Sequence, residues 1–159
     1  MSGRFAERRA GILSLVPADR ASVLLGREVR FRGIRLGVVV DMLVDPPTRR
    51  ALGYEVLCGD EGRRFLPLAA AEAVADGIEV GSALVLLDDP FYRERAVAFG
   101  SLRGSVVRRG AEELGVVCDA IVSADGRFER LVVASGGRER ELPLDPTLSF
   151  GGERLRPAV

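Results

Sequence analysis

A chain of 159 residues has room for one ordinary domain or two small ones, and 47% hydrophobic with 29% charged residues excludes a disordered chain. The formal net charge is zero, which excludes the basic footprint of a dedicated nucleic-acid binder and leaves weak, non-specific contact at most. No apolar run approaches the roughly 18–20 residues of a bilayer span. The stretch GILSLV before Pro17 is too short for a signal-peptide core, so a soluble, cytoplasmic chain without membrane insertion is expected.

The alphabet limits the chemistry. All 23 basic residues are Arg, and Lys, His, Asn, Gln and Trp are absent, as in a protein from a GC-rich bacterial genome or one adapted to heat. Without His there is no ordinary general base near neutral pH and no imidazole metal ligand. Without Lys there is no Schiff base and no phosphate-loop lysine. Cys58 and Cys118 lie far apart with no C-x-x-C and read as buried thiols. No catalytic residue, metal ligand or cofactor is expected.

Along the chain, residues 1–21 read as an N-terminal extension. The first short strand, REVRFRG, follows Leu25-Gly26 and carries Arg27, Arg30, Arg32 and Arg35. Arg30 and Arg32 share one strand face. They guard an edge strand with charge, or touch a partner. After Gly37 comes a long apolar strand, LGVVVDMLVD over 36–45, interrupted by Asp41. A carboxylate among apolar neighbours is costly unless paired, so Asp41 is expected to accept backbone N–H groups or an arginine, and to build rather than catalyse. ALGYEVLC (51–58) and RRFLPL (63–68, with Pro67) read as two further strands, and AAAEAVA (69–75) as a one- or two-turn helix. DGIEVGSALVLLDD (76–89) closes the first unit. Residues 90–99 form a linker with the adjacent aromatics Phe91 and Tyr92, which pack the units together or anchor a partner.

The same order then recurs. Gly104 and Gly115 are spaced as Gly26 and Gly37 are, and Asp119 stands in LGVVCDAIVS where Asp41 stands in LGVVVDMLVD. FERLVVAS (128–135) and RERELPL (138–144, with Pro143) follow. Glycines, an Asp, a Leu-Pro pair and the apolar pattern recurring in one order indicate an internal duplication. Many short strands between Gly, Pro and Asp turns indicate an all-β fold of two small closed barrels, at 22–89 and 100–159. The second copy is expected to lack most of its last strand, and its open edge to take a donor, AGILSLV (10–16) or RAVAFGSL (95–102), or a second chain in a homodimer.

These features resemble the PRC-barrel family: LLGREV, GIRLGVVVD and FLPL in the first copy, and LRGSVV, GAEELGVVCD and ELPL in the second, where Arg103 replaces the expected Leu. The resemblance implies tandem barrels and a structural role for Gly26, Gly37, Asp41, Pro67, Gly104, Gly115, Asp119 and Pro143. It supplies no catalytic residue. Members of that family form the cytoplasmic domain of the photosynthetic reaction-centre H subunit and a domain of a ribosome maturation factor. The implied function is therefore protein docking or scaffolding, with an accessory role in ribosome maturation or RNA processing as the alternative. Arg30, Arg32, Phe91 and Tyr92 are the candidate contact residues. A hydrolase with an atypical carboxylate site is a further rival, and it would need two carboxylates sharing a pocket.

Overall fold

The computed structural model describes residues 19–152. The expected donor at 10–16 and the last residues, 153–159, lie outside them. In chain order the elements are β1 (Asp19–Arg20), α1 (Ala21–Leu24), β2 (Glu28–Phe31), β3 (Ile34–Asp45), β4 (Arg50–Leu57), β5 (Arg63–Pro67), β6 (Glu72–Val74), β7 (Gly77–Glu79) and β8 (Leu87–Asp88). There follow α2 (Asp89–Arg93), β9 (Val97–Ala98), α3 (Phe99–Leu102), β10 (Val106–Arg109), β11 (Glu112–Val122), β12 (Phe128–Ser135), β13 (Arg138–Pro143) and β14 (Leu148–Ser149).

The protein is all-β in class, with two sheets. The first runs β6-β7-β2-β3-β4-β5-β8 and the second β13-β12-β11-β10-β14. Apart from the parallel β2–β7 pair, the ladders among the described strands are antiparallel. The long strands β3 and β11 hold their neighbours in matching register. Met42 faces Tyr54 and Leu43 faces Gly53 in the first sheet, while Ala120 faces Leu131 and Ile121 faces Arg130 in the second. Both ladders shift at the same place, between Val39 and Asp41 and between Val117 and Asp119. A bulge there admits one extra residue and re-aims the side chain that follows it.

The recurring glycines have steric reasons. A Cβ on Gly37 would lie 2.5 Å from the Leu57 carbonyl oxygen, and one on Gly115 would lie 2.4 Å from that of Ala134. Gly26 and Gly104 turn the chain into β2 and β10 at φ of 85° and 86°, where only glycine is unstrained. Their N–H groups donate to the carbonyls of Val39 and Val117 at 2.8 and 2.7 Å. Pro67 and Pro143 end β5 and β13, where a missing N–H costs no ladder bond.

One apolar cluster runs through both sheets. Val29, Val39, Met42, Val56 and Leu66 from the first meet Val107, Val117, Leu131, Val133 and Leu148 from the second. Phe99 and Phe128 meet edge to face, with ring centroids 6.2 Å apart. The stretch expected as a helix, AAAEAVA, is a single 3-10 turn over Leu68–Ala70 followed by β6. So short a helix is marginal by itself, and pairing with β7 satisfies the backbone instead.

Candidate functional site

The two sheets are joined by a reciprocal exchange. β1 does not join the sheet that follows it but pairs with β11, Asp19 facing Val122 and Arg20 facing Ile121. β9, which leads into the second sheet, pairs with β3 of the first, Val97 facing Val44 and Ala98 facing Leu43. Every residue of one contact lies 78 positions from its counterpart in the other. The relation has the self-complementarity of an isologous contact between identical subunits. Of the expected donors, RAVAFGSL thus serves the first sheet, and the N-terminal contact falls at residues 19–24.

Asp41 and Asp119 secure this exchange. After β1, the one-turn helix α1 presents its first amides to the opposite sheet. Ser22 N donates to Asp119 Oδ1 at 3.1 Å, and the Ser22 hydroxyl donates to Asp119 Oδ2. After β9, α3 does the same, and Gly100 N donates to Asp41 Oδ1 at 3.0 Å. Each carboxylate also accepts the next amide of its own strand, Met42 N at 2.8 Å and Ala120 N at 2.9 Å. Amide-to-carboxylate bonds are worth about 1.5–3 kcal/mol each. The carboxylates are held by backbone donors from a foreign segment, the arrangement of joints rather than of acid–base catalysts.

The ladder partners of these two aspartates differ. Asp119 faces Val132, whereas Asp41 faces Glu55, a carboxylate that is fully buried. Asp89, at the start of α2, is also buried and lies within hydrogen-bonding reach of Glu55. Glu55 Oε2 and Asp89 Oδ1 have no protein donor. Protonation of Glu55 would supply the missing donor between the two carboxyls. Burial, followed by the bond and the charge of Asp89, pushes Glu55 up to about 7, against the opposing charges of Arg93 and Arg63. Those guanidiniums stand 3.6 and 3.5 Å from its oxygens, at the solvent side. Tyr92 stacks on Phe65 of β5, centroids 4.0 Å apart, so α2 is clasped to the first sheet by a ring pair and an acid pair.

Of the residues singled out from sequence, Arg30 and Arg32 lie on the β2–β3 hairpin and Phe91 and Tyr92 on α2. Arg30 donates to Glu28 at 3.0 Å and to Asp76 at 3.4 Å, so its charge is balanced locally. Arg32 occupies the hairpin tip at φ 49°, with its guanidinium 5.2 Å from the Phe31 ring centre. Beside it Ile34 is 64% exposed. Phe91 is half exposed and carries Arg95 on its face at 3.8 Å. Cys58 is buried as expected, whereas Cys118 is only half-buried, and loss of water raises the thiol pKa of both, which keeps them protonated. Among the described residues no group of three or more His, Cys, Asp or Glu is placed to hold a metal.

Glu55 and Asp89 are not among the residues singled out from the sequence. The signal was present in the comparison of ALGYEVLC with FERLVVAS, where Glu55 in one strand meets Val132 in the other. No family model matches the chain, and no curated protein matches it either. Fold and site together define a two-sheet β protein whose halves lock each other by exchanged leader segments.

Proposed function

We propose that the chain is a non-enzymatic docking module, built from two PRC-type barrels related by internal duplication and working in the cytoplasm. The observation that carries this reading is the reciprocal exchange. It commits the repeated carboxylates, Asp41 and Asp119, to joining the halves, and so yields a stiff platform rather than a reactive cleft. The acid pair is closed between β4 and the start of α2, with Glu55 0% and Asp89 4% exposed. A substrate has no access to carboxyls so covered, which argues against the hydrolase reading.

The β2–β3 hairpin tip is the docking element in this proposal. It offers an exposed Ile34 flanked by Arg32 and Arg35, a combination suited to an apolar partner segment rimmed by acidic residues. The test is affinity capture on the immobilised full chain, beside a variant carrying both Arg32→Glu and Ile34→Glu. A defined protein retained by the wild type and lost from the variant supports the reading, and a ribosomal protein in that role selects the maturation-factor alternative. Turnover of a substrate that depends on Glu55 would overturn it.

A further inference from the structure

The β3–β4 and β11–β12 hairpins meet end to end where the halves join. Arg50 and Arg127 face each other there in an isolated antiparallel bridge, and Ala51 N donates to Gly126 O at 2.8 Å. The two arginines are counterparts. Each immediately precedes the residue that pairs with the equivalent valine of the long strand, Ala51 opposite Val44 and Phe128 opposite Val122. Like charges placed directly opposite one another across strands are unfavourable. Neither Arg50 nor Arg127 forms an ion pair among the described residues.

The nearby acids are already engaged. Asp125 accepts the Ser123 hydroxyl and Arg127 N and lies within charge range of both Arg127 and Arg50 without an ion pair to either, and Asp145 accepts Thr147 N and faces Arg109 at 3.6 Å. Behind the arginine pair lies Arg49, buried, at φ 56°, donating to the Leu148 carbonyl at 3.0 Å and set 5.0 Å from the Phe150 ring centre. A buried guanidinium on left-handed backbone is a costly arrangement of the kind found at ligand clamps. These groups line one open pocket of about 310 Å³, whose wall includes Thr48, Arg49, Arg50, Arg127, Phe128 and Asp145. Arg50 and Arg127 are its exposed charges, with Asp145 beside the buried Arg49. The volume is at the small end of ligand sites, which run from about 300 Å³ upward.

We propose that this pocket binds a small phosphomonoester, its dianionic phosphate held between Arg50 and Arg127. Guanidinium forks match phosphate oxygens two at a time, and a dianion placed between the arginines removes their mutual repulsion. Because both halves contribute one arginine, the site exists only in the joined molecule.

Calorimetric titration of the full chain with phenyl phosphate at low salt tests the proposal. Saturable one-to-one binding is expected at pH 8. It should weaken at least tenfold at pH 5, where the second phosphate proton, pKa near 6, is back in place. The Arg50→Ala/Arg127→Ala double variant should lose binding by at least tenfold as well, and should melt higher than wild type in phosphate-free buffer because the opposed charges are gone. If that variant failed to fold, Arg127→Lys would serve, with a several-fold loss expected because the charge stays and the fork goes. No saturable binding, affinity unchanged in the folded variants, or succinate bound as well as phenyl phosphate would overturn the proposal.

Discussion

The two halves of the molecule use the same joint but differ beneath it. Opposite Asp119 the second half buries Val132, and opposite Asp41 the first buries Glu55. Valine is the residue that a buried strand position favours, and the second half demonstrates that this position accepts it. Glu55 therefore answers to something other than the ladder, namely Asp89 and the clasped helix α2 above it. What the halves share holds the protein together, and what they do not share marks where one half has a property of its own.

The sharpest way to break this comparison is to install the acid where it has no partner. Val132→Glu places a carboxyl in a fully packed site with no counterpart of Asp89, and a buried unpaired charge costs about 3–5 kcal/mol. The variant should be largely unfolded at temperatures where wild type is intact, as circular dichroism melting will report. A wild-type melt would mean that Val132 is less enclosed than its 1% exposure indicates.

Removing the joints comes next. Asp119→Ala orphans Ser22 N and Ala120 N and should destabilise by about 3 kcal/mol, read from urea unfolding. Asp41→Ala should cost less, about 2 kcal/mol, because Asp41 is half-buried and its leader contributes Gly100, with no hydroxyl to lose. Equal costs would contradict the asymmetry between the two joints.

The smallest effect depends on pH. Glu55 titrates near 7 when folded and near 4.5 when unfolded, so between those values the folded chain holds a proton that the unfolded chain has released. Stability contributed by the protonated pair is present below pH 4.5 and is lost as pH rises towards and through 7. Glu55→Gln cannot ionise. It should match wild type at pH 5 and melt higher at pH 8. A difference independent of pH would rule out the shared proton.

Much of this could be read from the sequence, and the reasons for the remainder are physical. The β class, the matched spacing of Gly26, Gly37 and Asp41 with Gly104, Gly115 and Asp119, and a structural task for the aspartates follow from local sterics and the cost of a buried charge. The exchange of leaders does not. Residues 19–24 precede β2 whether they pack on their own sheet or on the other, and only tertiary packing decides. The meeting of Arg50 with Arg127 is likewise a product of the joint between the halves, invisible to any local pattern. Glu55 was legible in principle, since it interrupts an apolar strand as Asp41 does. Its partner Asp89 precedes a proline, as Asp45 and Asp145 do, and an Asp-Pro pair is an ordinary turn signal.

The central claim is that the exchanged segments make one cooperative body of the two sheets. Differential scanning calorimetry of wild type, Asp41→Ala and Asp119→Ala tests it most directly. The account predicts a single transition in all three, with calorimetric and van't Hoff enthalpies equal, lowered as a whole by either substitution. Two transitions, only one of which moves with each substitution, would show that the halves fold independently and would contradict it.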